Sequence, residues 1–186
     1  MERLKRVLVA VDFSACSAAA LAQADRIAAW HCATLTALNA VPVPVYAVDP
    51  QPFFPLVMPD LEIALAESRE QWGKWTPARG LRTPVAFEAS VGTPRFEILG
   101  RVDRLKPDLL VMGAHGDLDA KRHLGSTAAA CLQHSACNVL LVRENQTGPF
   151  RSVLACVDLT DGSSAIIEQA LRTAAQNDAA LHILHV

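Results

Sequence analysis

Three glycines separate a hydrophobic run from a run of small residues: Gly113, Gly116 and Gly125. The hydrophobic run, residues 108–112, is typical of a buried strand, and it ends at the first of these glycines. Residues 126–130 are typical of the first turn of a helix, with Gly125 or Ser126 as its N-cap. A helix N-terminus that follows a glycine turn presents unpaired N–H groups and the positive end of the helix dipole to one place. This stretch therefore predicts a phosphate-binding loop.

Apolar runs alternate with helical patterns in the rest of the chain. The runs are continuous, as in strands that are buried on both faces of a parallel sheet. They lie at residues 7–11, 33–41, 85–89, 108–112 and 138–142. Helices are predicted between them, from Ser14 or Ser17 to about Trp30, from Asp60, around residues 96–99, and from 126 to about Gln133. The first strand–helix–strand unit is expected to close right-handed.

A proline-rich segment separates the second strand from the second helix. Residues 42–59 contain six of the eleven prolines, a density that excludes regular structure and predicts a long, stiff loop. Asp60 is the expected N-cap of the helix that follows. Helical spacing predicts that one face of this helix packs on the core through Leu61, Leu65, Ser68, Trp72 and Trp75.

Composition excludes several classes of protein. Hydrophobic residues make up 51% of the 186 residues, which is ample for a buried core, and the net charge of -2 provides no basic field for nucleic acid. The five cysteines are odd in number and form no C-x-x-C pair, which favours a reducing compartment over a disulfide framework or a zinc site. The first apolar run ends at Asp12, too early for a signal peptide or a membrane span. A cytoplasmic protein without a membrane partner is expected.

The end of the chain resembles its beginning. Residues 153–186 align with residues 7–40 at a constant offset and without a gap, and fourteen of the 34 aligned pairs are identical. Alanine-rich composition raises that count, but it does not explain the Val-Asp turn that both segments share. Two interpretations follow: the chain is a piece of a longer tandem protein, which we favour, or its second half is vestigial.

Four motifs together resemble the universal stress protein family: Val11-Asp12-Phe13-Ser14, Gly92-Thr93-Pro94, Leu110 to Gly116, and Gly125-Ser126-Thr127. The resemblance implies a complete family domain at residues 1–143, a linker at 144–150, and the strand-helix-strand opening of a second, incomplete repeat at 151–186. It also implies the fold class, an open five-stranded parallel sheet with helices on both faces, Rossmann-like and of the adenine-nucleotide-binding type.

The resemblance further implies that ATP, with or without Mg²⁺, lies across the carboxyl ends of the strands. Asp12 would lie near the ribose, and Val41 would meet the adenine through its backbone. Gly113 and Gly116 would let the backbone approach the phosphates. Groups of the following helix N-terminus would donate hydrogen bonds to the phosphates, from Gly125, Ser126 and Thr127. The neighbouring positions Ala10, Met112 and His115 complete the expected nucleotide site.

Each of these residues also has a plainer interpretation. Asp12 could cap the first helix, and Gly113 and Gly116 could be ordinary turn glycines. His115 is interpreted as a loop or packing residue rather than as a catalytic residue. Cys131 and Cys137 are interpreted as small core residues.

The phosphate loop departs from the family pattern in two respects. The stretch between Gly116 and Gly125 is one residue shorter than is usual in nucleotide-binding members. It also contains Asp117 and Asp119, which would repel a triphosphate unless Mg²⁺ intervened or the carboxylates turned outward. Further along, positive charge returns with Lys121, Arg122 and His123.

No catalytic set is evident in the sequence: it has no Walker lysine, no Ser-His-Asp order and no acidic metal cluster beyond Asp117 and Asp119. The expected function is therefore a nucleotide-binding regulator of the stress response. Alternatives are a weak ATP hydrolase, an adenylating enzyme, and a dimeric scaffold that binds no nucleotide. An adenylating enzyme would need a glycine-serine loop where residues 13–17 stand. A homodimer through the edge strand Asn138–Val142, or a pseudo-dimer with a missing second half, is also expected.

Overall fold

The computed structural model describes residues 3–42, 60–76, 79–116, 124–158 and 160–185. Five parallel strands form one sheet in the order β3-β2-β1-β4-β5. Their bounds are β1 Arg6–Ala10, β2 Thr34–Val41, β3 Val85–Val91, β4 Leu109–Gly113 and β5 Asn138–Val142. The predicted open, five-stranded parallel sheet is confirmed, with each strand within two residues of its expected position.

Four helices connect these strands: α1 Ala15–His31, α2 Leu61–Trp75, α3 Pro94–Leu105 and α4 Ser126–His134. Local chemistry explains where they begin. Ser14 caps α1 by accepting from the Ser17 N–H, and Asp60 caps α2 by accepting from the N–H groups of Glu62 and Ile63. Within the described ranges, none of the helices combines the length and the apolar character that crossing a membrane requires. The proline-rich segment from residue 43 to residue 59 lies outside the described residues.

The sheet is covered on both faces, because successive side chains of a buried strand point to opposite sides. Val9 faces α1 and α2, whereas Leu8 faces α3 and α4. Cys131 is buried in the second of these layers, where burial raises the pKa of its thiol to about 11. It is therefore a neutral core thiol, and Cys137 packs against the same layer.

Helix α2 contacts the sheet mainly through its C-terminal half. Ser68 is buried, and the Trp72 ring stacks on Phe87 with 4.5 Å between ring centroids. Trp75 packs against the same core. Leu61 is 52% exposed, so its assignment to the buried stripe was wrong. Helical spacing identifies the face that packs, but it does not indicate at which turn the packing begins.

Residues 146–186 form a second compact unit, separate from residues 1–145. It contains the strand β6 Ser152–Val157, the helix α5 Ser163–Asn177 and the strand β7 Ala180–His185, with β6 and β7 paired in parallel. β6 and β7 begin 146 positions after β1 and β2, respectively, and α5 ends 146 positions after α1 does. The residues after the two helices, Cys32 and Asp178, both adopt a left-handed conformation. The order of strand, helix and strand in this unit is therefore the same as in β1–α1–β2.

Gly100 offers a small test of the helix assignment. It lies on the exposed side of α3, and a Cβ added there would meet nothing within 4 Å. Alanine lowers the backbone entropy of the unfolded chain without a steric cost in the helix. We expect Gly100→Ala to raise the free energy of unfolding by about 1 kcal/mol in urea titration. A loss of stability would show that residue 100 is not in an exposed helical position.

Candidate functional site

A cavity of about 340 Å³ opens at the carboxyl ends of β1 and β4. These strands are neighbours in the sheet, but α1 covers one face and α3 and α4 cover the other. This is the switch point at which doubly wound sheets form their ligand crevice. Eight of the predicted site residues line the cavity: Ala10, Asp12, Met112, Gly113, His115, Gly116, Gly125 and Thr127.

Two predicted residues do not line this cavity. The carbonyl of Val41 accepts a hydrogen bond from the Gly92 N–H at 2.9 Å, and its neighbours Ala40 and Pro42 form the wall instead. Ser126 is the exposed first residue of α4. Their predicted contacts with the base and the phosphates remain predictions.

Three apolar residues of the cavity wall were not predicted from the sequence. Leu38 comes from the interior of β2, whereas Pro94 and Ile98 come from the first turns of α3. Pro94 could have been found, because it follows a parallel strand and must therefore lie at the same edge of the sheet as Asp12. Leu38 and Ile98 gave no such signal, since an apolar residue in a strand or helix is expected in the core.

Asp12 lies two residues after the end of β1 and is an exposed residue that lines the cavity. Its Oδ1 accepts from the Ser14 N–H at 3.1 Å. The N-cap of α1 is Ser14, not Asp12, so the plainer interpretation of Asp12 as the helix cap was wrong. A carboxylate has about four lone-pair sites, and one N–H leaves most of this accepting capacity for a ligand.

The turn that carries Asp12 is held by buried polar and aromatic contacts. The Asn39 side-chain amide donates to the Val11 carbonyl at 2.7 Å and accepts from the Ser68 hydroxyl at 2.8 Å. Phe13 has a φ of 65°, a left-handed conformation that is unfavourable for a bulky residue. Its ring packs edge-on against Trp75 at 5.5 Å. Packing on both sides of Asp12 therefore fixes its position before any ligand arrives.

The glycine loop is joined to the elements on both sides of it. The Ala114 N–H donates to the Val142 carbonyl at the end of β5, and the Gly125 N–H donates to the Ala114 carbonyl, both at 2.9 Å. A Cβ on Gly113 would lie 3.0 Å from the Cβ of Cys16 in α1. Gly113 therefore lacks a side chain because α1 packs beneath it, a reason that differs from the expected approach of phosphate.

Helix α4 directs its N-terminus at the cavity. Its N-cap is Gly125, which makes no side-chain cap bond, and Thr127 and Ala128 of the first turn line the cavity. The first N–H groups of any helix lack partners within it, and the helix dipole adds a partial positive charge at that end. This arrangement favours an anionic ligand group beside Gly125.

Asp117, Asp119, Lys121, Arg122 and His123 lie outside the described residues. Among the residues that are described, no group of three His, Cys, Asp or Glu side chains is arranged to bind a metal ion.

A family comparison agrees with this fold. Residues 3–143 match the model of the universal stress protein family. The chain belongs to this family. A comparison with curated proteins gave no match. The second unit lies beyond the matched residues, so the family assignment rests on the five-stranded domain.

Solved structures of other universal stress proteins have the same fold. UspA from Lactobacillus plantarum is 28% identical, with a TM-score of 0.59, and the match covers 77% of this chain and 100% of that one. A universal stress protein in complex with cAMP is also 28% identical, with a TM-score of 0.51 and a coverage of 77% and 99%. A universal stress protein from Archaeoglobus fulgidus in complex with dAMP, 15% identical with a TM-score of 0.51 and a coverage of 76% and 99%, supports the fold alone.

Proposed function

We propose that this universal stress protein binds an adenine nucleotide, ATP in particular, and acts as a regulator in the stress response without dedicated catalysis. The observation that carries the proposal is the cavity at the switch point of the sheet. It brings the Asp12 carboxylate, the glycine loop and the N-terminus of α4 to one place. The Asp12 carboxylate suits the ribose hydroxyls, and the glycine loop lets the protein backbone approach the phosphates. The N-terminus of α4 suits the negative charge of the phosphates.

The walls of the cavity suit a flat, largely apolar base. Leu38, Pro94, Ile98 and Met112 line it, and such walls with a few convergent polar groups are typical of small-molecule sites. In this arrangement the base packs between β2 and α3, and the ribose hydroxyls donate to Asp12. The phosphates then reach Gly116 and the first turn of α4. The relative that was solved with cAMP supports an adenine nucleotide as the ligand class.

The first test asks what the purified protein carries. Denaturation followed by chromatography should release ATP or ADP, and calorimetric titration of the emptied protein should give saturable binding of ATP, AMP and cAMP. GTP is the matched control, because it has the same phosphates on a different base. Absence of released nucleotide together with absence of binding would contradict the proposal and favour the dimeric scaffold.

Turnover is tested separately from binding. A regulatory role predicts that ATP remains unchanged during long incubation with the protein, with and without Mg²⁺. Steady ADP production that Asp12→Asn abolishes would instead establish the weak hydrolase. ADP production that Asp12→Asn leaves unchanged would indicate a contaminating enzyme.

We also propose that two copies of the chain associate through β5. This strand is one edge of the five-stranded sheet, and edge strands present unpaired backbone groups to a partner strand. Light scattering over a dilution series should give the mass of a dimer. A monomer at all concentrations would contradict this proposal and would leave nucleotide binding unaffected.

We propose, finally, that residues 151–186, within this second unit, correspond to the opening strand, helix and strand of a second family domain, and that residues 144–150 are the linker before it. Leu154 and Leu184 are 58% and 49% exposed, whereas Leu8 and Leu38, at the matching positions of the first unit, are each 1% exposed. In the first unit α3 and α4 cover that face, and residues 146–186 contain no described counterpart of them. The apolar face is explained if helices of a complete second domain cover it, as α3 and α4 do in the first unit.

Hydrogen exchange on the whole chain tests this assignment. A unit of this size buries only a small share of its surface and is marginally stable, so the amides of β6 and β7 should open far more often than those of β1 and β4. We expect them to exchange roughly 100-fold faster or more, which corresponds to about 2.8 kcal/mol. Equal protection of the two sheets would show that residues 146–186 form a stable domain by themselves.

A further inference from the structure

The thiol of Cys16 lies directly beneath the glycine loop. Cys16 is the second residue of α1, and it is 2% exposed. Its Sγ is 3.6 Å from Nε2 of His115 and 3.4 Å from the carbonyl oxygen of Val142. The Cys16 sulfur therefore contacts both the glycine loop, at His115, and the end of β5, at Val142.

Gly113 makes this position of the thiol possible. A Cβ on residue 113 would lie 3.0 Å from the Cβ of Cys16 and 3.3 Å from its backbone carbon. Any side chain there would push α1 and the loop apart and would separate the sulfur from His115. The contact between Cys16 and His115 therefore depends on a glycine at position 113.

The hydrogen-bond roles around the sulfur follow from counting protons. A thiol carries a single hydrogen, and Cys16 donates it to the Val142 carbonyl. Towards His115 the sulfur is therefore an acceptor, which requires a hydrogen on Nε2. A neutral imidazole carries one N–H, so Nδ1 is then the nitrogen with a free lone pair.

We propose that Cys16 is a positioning residue for His115. The sulfur selects the Nε2–H tautomer and fixes the ring in the cavity wall. Nδ1 then remains to accept a hydrogen bond from a donor group of the ligand, such as a nucleotide hydroxyl. This inference rests on the proposed function for the ligand, but the tautomer of His115 is a property of the empty protein.

The tautomer is measured by nitrogen-15 NMR of the imidazole in the ligand-free protein. We expect the Nε2–H form in the wild-type chain and a mixture of the two forms in Cys16→Ala. Cys16→Ser keeps a group that donates and accepts, and it should retain the wild-type tautomer. Cys131→Ala is the matched control, because it removes another buried thiol that does not line the cavity. It should leave His115 unchanged.

Nucleotide affinity is the second readout. Loss of one positioned hydrogen bond should weaken AMP binding by about two- to tenfold in Cys16→Ala. Cys16→Ser should recover part of the loss, and Cys131→Ala should bind as the wild type does. A mere packing role would weaken Cys16→Ser and Cys16→Ala equally and would leave the tautomer unchanged in both.

Two results would overturn the inference: the Nδ1–H tautomer in the wild type, or an unchanged tautomer in Cys16→Ala. If Cys16→Ala does not fold, Cys16→Ser together with the wild type still decides between the tautomers. A wild type with the expected tautomer that binds no nucleotide would contradict the proposed function and the ligand part of the inference. The contact between Cys16 and His115 would then stand as a structural one.

Discussion

Replacing Gly113 by valine is expected to weaken nucleotide binding by about tenfold or more while leaving the sheet in place. The new Cβ would lie 3.0 Å from Cys16, and two further methyl groups would have to be placed in the same closed space. Overpacking of this kind costs about 1–3 kcal/mol in the free energy of unfolding. Because the loop must move to relieve it, we expect AMP to bind tenfold more weakly at least, or roughly 1.4 kcal/mol.

Gly100→Val is the matched control for this substitution. Residue 100 is exposed in α3, where a Cβ would meet nothing within 4 Å, and valine is no worse a helix former than glycine. Urea titration should therefore show little change, and calorimetry should give the affinity of the wild type. Normal nucleotide binding by Gly113→Val would show that the close approach of α1 does not determine the shape of the loop.

Asp12→Asn is expected to have the largest effect on binding without an effect on the fold. Asparagine can still accept from the Ser14 N–H, so the turn after β1 is preserved. The charge that receives the ribose hydroxyls is lost, and hydrogen bonds to a charged group contribute about 1.5–3 kcal/mol. Nucleotide affinity should therefore fall by about 10- to 150-fold in calorimetric titration.

A second ligand distinguishes hydrogen bonds between Asp12 and the ribose hydroxyls from a general effect of the Asp12 charge. The wild type should bind a 2′,3′-dideoxy adenine nucleotide more weakly than the parent nucleotide, and this difference should be smaller in Asp12→Asn, because the amide forms weaker hydrogen bonds with hydroxyls than the carboxylate does. Asp158→Asn is the control, because Asp158 stands before the helix of the second unit as Asp12 stands before α1. Asp158 accepts from Thr160 and Ser163, so its loss should affect local stability alone. Undiminished discrimination against the dideoxy ligand in Asp12→Asn would contradict the ribose assignment.

The two units contrast in how completely their strands are covered. In the first, β1 lies between β2 and β4 and has helices on both faces. In the second, β6 is paired with β7, and α5 contacts the two strands. The same order of strand, helix and strand therefore occurs in both units, although burial of the strands differs greatly.

The elements themselves were predictable because their signals act over a few residues. Ser14 and Asp60 accept from N–H groups within three positions, and Pro94 begins α3 because proline suits the first helical turn. The open five-stranded sheet as a whole came from the family resemblance and not from these local signals, and the order of its strands was not predicted. The burial of Leu61 was predicted wrongly, because helical spacing does not indicate at which turn of α2 the packing on the sheet begins.

The sequence by itself determined the strands, the helix starts and the position of the glycine loop, since apolar runs, caps and glycine turns are local features. Tertiary structure alone decided the walls of the cavity at Leu38 and Ile98, and the contact of Cys16 with His115. These last two residues stand 99 positions apart and belong to different strand–helix connections. They meet because parallel strands direct their carboxyl ends, and the loops that follow them, to one edge of the sheet. No local pattern in the chain records which side chains face each other there.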